Sequence, residues 1–151
     1  ATLPSAPYLR AATRPAGGRI GVATRGNPGH SNDAHRSLPA DVAAELLALP
    51  GAMSLEPEAT GAKDFAETAA IVAGLDLVIA VDTAVAHLAG ALGRPAWILL
   101  PRIFTDWRWM EGRADSPWYP TARLFRQASP GDWSAVLAEV RRTLTREAIV
   151  R

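Results

Sequence analysis

The chain has 151 residues, which is enough for one domain with a substantial core and too few for two ordinary domains. A hydrophobic fraction of 48% and a charged fraction of 21% are typical of a soluble globular protein, and a net charge of +1 gives no electrostatic reason to expect binding to nucleic acid or membranes. The absence of cysteine excludes disulfides, thiolate catalysis and cysteine-based metal sites, and the three histidines do not form a convincing ligand set, so no metal site is predicted.

The predicted elements alternate between strands and helices along the chain. Residues 1–18 contain several prolines and glycines and are predicted to be a linker or lead-in, so that residues 19–151 form the domain. In chain order we predict a strand over Arg19–Thr24, a polar loop over Arg25–Ser37, a helix over Pro39–Leu49, a strand over Ala52–Leu55, a helix over Asp64–Leu75, a strand over Leu77–Val81, a helix over Thr83–Leu92, a strand over Pro95–Leu100, an aromatic loop over Pro101–Pro120, a strand over Ala122–Phe125 and a helix from Ser129 to about Arg146. This alternation predicts βαβ units, and hence a single α/β domain with a doubly wound, Rossmann-like parallel sheet.

Local signals support the ends of two of these helices. Asp64 is followed three residues later by Glu67, which is close to a capping box and indicates a helix start. Gly93 follows the helix of small residues that begins at Thr83, and it indicates the end of that helix.

The junction between the strand Leu77–Val81 and the next helix is the most informative part of the sequence. The apolar run ends abruptly in Asp82 and Thr83, which places polar groups at the carboxyl edge of a parallel sheet, where open α/β folds bind ligands. The free N–H groups of the helix that follows form an anion site at the same edge. Thr83 and His87 are four residues apart and share one face of the first turn. The junction therefore predicts a ligand that carries phosphate.

Several ligand and enzyme classes lack their sequence motifs. The first predicted strand is followed by residues 24–29 (TRGNPG) instead of the glycine pattern of dinucleotide-binding folds, and neither a P-loop nor a G-x-S-x-G nucleophile elbow is present. A nicotinamide enzyme, a P-loop NTPase and a serine hydrolase are therefore not expected. The apolar stretches are strand-sized and the N-terminal residues do not resemble a secretory signal, so a cytoplasmic protein without a membrane span is expected.

Several blocks of the sequence resemble bacterial glycosyltransferases of the heptosyltransferase superfamily. The strongest similarity lies in residues 64–79 (DFAETAAIVAGLDLVI) and 81–95 (VDTAVAHLAGALGRP). It extends to residues 26–37 and to residues 106–120, and it covers roughly residues 19–127. The chain is most similar to the donor-binding half at the end of tetratricopeptide-repeat glycosyltransferase-like proteins. A single D-T-x-x-x-H match would be weak evidence for this family. Several matching blocks in the same order as in the family are specific evidence for the resemblance.

The resemblance implies half of a type-B glycosyltransferase, in which two Rossmann-like domains face a cleft. This chain would be the half that binds a nucleotide-diphosphate sugar, with no cofactor and no metal. The implied partners are the nucleotide sugar and an N-terminal acceptor-binding domain or tetratricopeptide region of a longer protein, and a homodimer is a further possibility. In such enzymes the general base comes from the other half, so no catalytic residue is expected in this chain.

The family's motifs also imply which residues contact the donor. The D-T-x-x-x-H turn, which binds the phosphates in the family, corresponds to Asp82, Thr83, the backbone of Ala84, and His87. Because Asp82 is itself an anion, it is expected to orient Thr83 and the turn, or to contact a sugar hydroxyl, rather than to face phosphate. The first loop contributes Arg25, Gly26 and Asn27, with Arg36 as a further phosphate contact. Trp107 and Trp109 lie in the aromatic loop, where a ring could stack on the sugar or the base.

Each of these residues also has a purely structural interpretation. Asp82 could cap the helix that follows it, and His87 could be a structural histidine bonded to Asp82 or to a neighbouring loop. Arg36 could anchor its loop to a carboxylate. The loop tryptophans could pack the loop down or cover a surface that faces another domain, whereas Trp97 and Trp133 are expected in the core.

Two further functions stay open at this stage. The domain could bind a nucleotide sugar without transferring it, or it could be an interaction module whose ligand site has degenerated. The polar first loop and the intact turn at Asp82 argue against degeneration.

Overall fold

A computed structural model describes residues 7–11, 20–27, 29, 31, 33–103 and 105–147, and these residues contain one five-stranded parallel sheet. The strands are β1 (Ile20–Ala23), β2 (Ala52–Ser54), β3 (Leu77–Val81), β4 (Ala96–Leu100) and β5 (Ala122–Arg126). The helices are α1 (Asp33–Arg36), α2 (Ala40–Leu47), α3 (Pro57–Thr60), α4 (Phe65–Ala73), α5 (Ala84–Ala91) and α6 (Ser134–Arg146). The predicted lead-in over residues 1–18 lies largely outside the described residues.

The strand order is β2-β1-β3-β4-β5, and every pair is parallel. The chain moves in one direction from β1 to β2 and in the other direction from β3 to β5. The winding therefore reverses between β1 and β3, which is the switch point at which doubly wound folds bind ligands. The predicted fold class, a doubly wound α/β sheet in one domain, is confirmed.

Helices cover both faces of the sheet, and this explains the uninterrupted apolar strands. Along β3, Val78 and Ala80 belong to the core on the α4 and α5 side, whereas Leu77, Ile79 and Val81 belong to the core on the α2 and α6 side. Because strand side chains alternate between faces, both sets are buried only when both faces are covered. The second core also holds two aromatic residues whose burial was predicted, Trp97 and Trp133.

The predicted element bounds differ from the structure mainly at helix ends. Asp64 caps α4 through the N–H of Glu67 at 2.8 Å, as predicted, but the Glu67 carboxylate accepts from the N–H of Lys63 rather than of Asp64. The last helix begins at Ser134 instead of Ser129, because the segment before it is a turn in which Gly131 has φ 81°. The short helices α1 and α3 were not predicted. Within the described residues, no helix combines the length and apolar character that a membrane crossing requires.

Gly90 allows Tyr119 to pack closely against α5. A Cβ at this position would lie 2.4 Å from Cγ of Tyr119, so we expect Gly90→Ala to lower the free energy of unfolding by about 1–3 kcal/mol through overpacking. Urea denaturation measures this change. In a Tyr119→Ala background the same substitution is expected to be neutral or stabilising, because alanine is the better helix former. An equal loss in both backgrounds would show that contact with the ring is not the cause.

Candidate functional site

The first loop and the Asp82 turn meet at the switch point of the sheet. The guanidinium of Arg36 spans the two segments, since its Nη1 donates to the main-chain oxygen of Asp82 at 2.9 Å. Thr24, at the end of β1, and Asp82, at the end of β3, thus lie at the same carboxyl edge. The sequence-based prediction that these two segments form one site is consistent with this geometry.

Hydrogen bonds hold the first loop against α1. The N–H of Gly26 donates to Oγ of Ser37 at 3.0 Å, and that hydroxyl donates to Oδ1 of Asp33 at 2.9 Å. Nε of Arg36 lies 3.5 Å from the same Asp33 oxygen, so Arg36 does anchor its loop to a carboxylate. A Cβ on Gly26 would lie 2.6 Å from Nη2 of Arg36, so a larger residue here would displace the guanidinium from its present position. The side chain of Asn27 accepts from the N–H of Gly29 within a local turn.

Arg25 is directed toward acidic side chains that follow β2. Its Nη2 donates to Glu58 at 2.7 Å and its Nε lies 3.5 Å from Glu56. Glu58, followed by Glu56, raises the pKa of the Arg25 guanidinium above its ordinary value. Glu56 also accepts from the N–H of Thr24 at 3.2 Å. Glu56 was not among the predicted site residues, although an acidic side chain just after a second strand is a known signal for contact with ribose hydroxyls.

The carboxylate of Asp82 binds the aromatic loop and does not cap α5. Asp82 is 6% exposed, and its oxygens accept from Nε1 of Trp109 at 2.9 Å and from the N–H of Asp106 at 3.2 Å. Burial acts to raise the pKa of Asp82, but the neighbouring imidazole of His87 and the hydrogen bonds from Trp109 and Asp106 outweigh it and hold that pKa below its ordinary value. The N-cap of α5 is Thr83, so the capping interpretation of Asp82 is wrong.

His87 is held between Asp82 and two aromatic rings. Its Nδ1 lies 3.1 Å from the hydroxyl of Tyr119, and its Nε2 lies 3.7 Å from Oδ1 of Asp82. The imidazole stacks on Trp109 with ring centroids 4.9 Å apart. Burial raises the pKa of Tyr119 far above its ordinary value, so this hydroxyl stays protonated and can donate to Nδ1. The structural interpretation of His87 is thus supported, while 26% of its side chain stays exposed. Its role as a phosphate contact stays a prediction.

The N-terminus of α5 is open at the same edge. Thr83 makes no side-chain capping bond, and Ala84 is exposed. The first-turn N–H groups of a helix have no partner within the helix. The combination of a hydroxyl, these N–H groups and the positive end of the helix dipole is suited to a phosphate.

The two predicted loop tryptophans have different surroundings. Trp109 is fully buried and packs against Tyr119, so for this residue the packing interpretation is correct. Trp107 is 63% exposed, with its ring edge-to-face against Trp118 at 5.2 Å and the guanidinium of Arg108 4.6 Å from its centroid. Of these two tryptophans, Trp107 is the one that offers an exposed ring for stacking on a ligand.

Three potential metal ligands come together where none was predicted. Asp82, His87 and Asp106 each offer an atom within 4.8 Å of the others. The Asp82 oxygens already accept two N–H groups, and the carboxylate of Asp106 accepts from the backbone and the side chain of Arg108. A cation would therefore compete with existing hydrogen bonds for these carboxylates, and metal independence stays a prediction.

The fold and this site together define a doubly wound α/β domain with a polar, anion-compatible edge at its switch point. A family model described as glycosyltransferase family 9 (heptosyltransferase) matches residues 39–99, which include the Asp82 turn. Protein FlbA of Caulobacter vibrioides is 35% identical over 86 residues, which are 56% of this chain and 14% of FlbA. The chain therefore matches only a small part of that relative's length. No solved structure matches the chain significantly.

These comparisons confirm the resemblance to heptosyltransferase-type glycosyltransferases over part of the chain. They do not extend to the predicted similarity with tetratricopeptide-repeat proteins, which stays a prediction.

Proposed function

We propose that this chain is the domain of a metal-independent glycosyltransferase that binds a nucleotide-diphosphate sugar. The observation that carries the proposal is the open N-terminus of α5, with Thr83 at the switch point of the sheet. This junction also lies within the residues that match glycosyltransferase family 9. The acceptor-binding domain belongs to the rest of a longer protein or to another chain, and the proposed location is the cytoplasm.

In the proposed complex the diphosphate lies against the first turn of α5. The hydroxyl of Thr83 and the N–H of Ala84 donate to phosphate oxygens. His87 donates through Nε2, which lies 3.7 Å from Asp82 and makes no hydrogen bond to it. Transfer occurs by direct displacement at the anomeric carbon with inversion, and the helix terminus stabilises the charge that develops on the departing nucleoside diphosphate. The general base comes from the acceptor domain.

The neighbouring residues shape this site rather than contact the phosphates. Both Asp82 oxygens are already hydrogen-bonded, so its carboxylate positions the turn and the aromatic loop. Arg36 fixes the first loop to the same turn. Glu56 lies after β2, where it can accept from ribose hydroxyls, as acidic residues do at this place in doubly wound folds.

The test is the thermal stability of the chain with ADP, GDP, UDP and their sugar conjugates. A ligand at about 100 times its dissociation constant that binds only the folded chain adds about 2.7 kcal/mol of stability. We expect one nucleotide series to raise the melting temperature, and His87→Ala and Thr83→Val to reduce that shift while the unliganded variants stay folded. Thr145→Val, on the distant helix α6, is the matched control and should keep the full shift.

An absence of any shift with all three series would contradict the proposal. An unchanged shift in both site variants would place the nucleotide elsewhere on the domain.

A second candidate function is nucleotide-sugar binding without transfer. It is favoured by the first loop, in which the guanidinium groups of Arg25 and Arg36 already bind groups of the chain itself. Neither is free to neutralise a leaving diphosphate unless its present partners are replaced. Release of free nucleotide from the bound sugar donor in the presence of the acceptor domain separates the two functions, because the transferase releases it and the binding module does not.

A further inference from the structure

A polar cavity of about 460 Å³ lies at the carboxyl ends of β4 and β5. Its described lining includes Arg102, Thr105, Glu111, Arg126 and Gln127. In the sheet, β4 and β5 lie on the opposite side of β3 from β1 and β2. The cavity is therefore separate from the first loop, and the proposed nucleotide site does not use these residues.

Gln127 provides a buried donor group that lacks an acceptor. The residue is 3% exposed, and its Oε1 accepts from the N–H groups of Arg102 at 3.0 Å and Gly131 at 3.3 Å. These two donors fix which end of the amide is the oxygen. Nε2 is buried and has no hydrogen-bond partner among the described residues. Since buried polar groups are almost always paired, this amide group is suited to an acceptor that the chain does not supply.

The charged side chains of the cavity differ in whether they are already engaged. Arg126 is committed, because it donates to the main-chain oxygens of Trp109 at 2.6 Å and Arg113 at 3.1 Å. Within the described part of the chain, the guanidinium of Arg102 makes no hydrogen bond or ion pair. The carboxylate of Glu111 makes no hydrogen bond, although it interacts electrostatically with the guanidinium of Arg126. The cavity thus offers one cation for an anionic group and one carboxylate for hydroxyl groups.

A smaller cavity of about 150 Å³ also touches Gln127, on the side of Trp133 and Gly131. Its described lining contains no guanidinium and no carboxylate. The charged groups therefore favour the larger cavity as the binding site. The volume of the larger cavity also falls within the range of about 300–1,000 Å³ that small-molecule pockets occupy.

We propose that the larger cavity binds a small hydroxylated anion, the size of a monosaccharide that bears a carboxylate or a phosphate. Arg102 pairs with the anionic group. Nε2 of Gln127, which is now covered by neighbouring atoms, donates to one of the ligand's oxygens after a small shift of its side chain towards the cavity. Glu111 and Thr105 accept from its hydroxyl groups. This site is distinct from the nucleotide site and does not depend on it.

Calorimetric titration of the full chain with four probes tests this inference. We expect glucuronate or glucose 6-phosphate to bind at least about tenfold more tightly than inorganic phosphate or glucose, because only the first two carry both the charge and the hydroxyls. Preference between the two tighter probes distinguishes a carboxylate from a phosphate. If neither glucuronate nor glucose 6-phosphate binds, or if glucose binds as well as they do, the inference is overturned.

Two variants test the assigned residues. Arg102→Ala changes an exposed side chain and is expected to weaken binding of the preferred probe by about tenfold or more. Gln127→Glu keeps an acceptor for both N–H groups but removes the amide donor, and a similar loss is expected. Arg142→Ala on α6 is the matched control and should leave binding unchanged. Unaltered affinity in Arg102→Ala would overturn the inference.

The nucleotide-dependent thermal shift serves as a separate readout. It is expected to stay the same in Arg102→Ala, so that loss of the proposed nucleotide function and loss of this second site can be distinguished. Displacement of the bound probe by a nucleotide would overturn the claim that the two sites are distinct.

Discussion

Replacement of Trp109 by alanine is expected to lower the free energy of unfolding by about 3–5 kcal/mol, the usual cost of truncating a buried tryptophan. Trp109 is fully buried, and its ring lies between His87 and Tyr119, with centroid distances of 4.9 Å and 5.8 Å. Its indole N–H is also a donor to the buried carboxylate of Asp82. Truncation therefore creates a cavity and removes a hydrogen bond at the same time.

Urea denaturation of three variants separates these contributions. Trp109→Phe keeps most of the ring contacts but removes the indole N–H, and we expect it to cost about 1–3 kcal/mol. Trp107→Ala is the matched control, because this tryptophan belongs to the same loop but is largely exposed. The free energy of unfolding of Trp107→Ala should stay within about 0.5 kcal/mol of that of the unaltered chain. A loss in Trp107→Ala as large as that in Trp109→Ala would contradict the burial that we describe.

Asp82→Ala is expected to cost roughly 2–5 kcal/mol at about pH 7, because it leaves two donors without an acceptor. These donors are the indole N–H of Trp109 and the backbone N–H of Asp106. The substitution also removes the negative charge beside His87. The aromatic loop should therefore loosen from the end of β3.

The loss of unfolding free energy caused by Asp82→Ala should become smaller as the pH falls. The pKa of Asp82 is lowered in the folded chain, so the carboxylate contributes its full stabilisation above the unfolded-state value of about 4 and loses it as the pH falls through the folded-state pKa. The difference in unfolding free energy between the unaltered chain and Asp82→Ala is thus expected to shrink in acid. Urea titrations at several pH values between about 7 and 3 measure this difference.

Asp115→Asn provides the comparison, because Arg113 lowers the pKa of Asp115 at an exposed position. A surface ion pair of this kind contributes little, so Asp115→Asn is expected to change the free energy of unfolding far less than Asp82→Ala does. If the effect of Asp82→Ala stayed constant with pH, its carboxylate would not be the ionised acceptor that we describe.

Most of the fold could be predicted because the three central strands are buried on both faces. All five predicted strands are present, since an apolar run such as that in β3 is buried on both sides only in a sheet with both faces covered. The helices α1 and α3 were missed because each contains only four residues, which is too short for a helical periodicity. The start of α6 was predicted too early, because the same residues favour both a turn and a helix start, and the positive φ of Gly131 shows that the turn forms.

The candidate site could be predicted only where it is local in sequence. The Asp82 turn is a junction between adjacent elements, so the sequence pattern was sufficient to locate it. The partners of Asp82 and His87 lie in the aromatic loop, at Asp106, Trp109 and Tyr119. They are distant in sequence, and only the folded conformation of that loop places them beside Asp82 and His87. No spacing rule predicts such long-range contacts, and this is why the capping interpretation of Asp82 was plausible but wrong.

The central position of β1 determines how much of the chain is needed for folding. β1 pairs with β2 on one side and with β3 on the other, so β2 has no partner strand until β1 is in place. The segment that matches glycosyltransferase family 9, residues 39–99, contains β2, β3 and β4 but not β1. If it were produced alone, this segment would expose an unpaired edge of β3 and leave β2 isolated, and such edges recruit other chains into aggregates. The segment that carries the family resemblance is therefore smaller than the unit that can fold. During synthesis, β1 leaves the ribosome before the other four strands, so its second edge stays unpaired until β3 has also emerged.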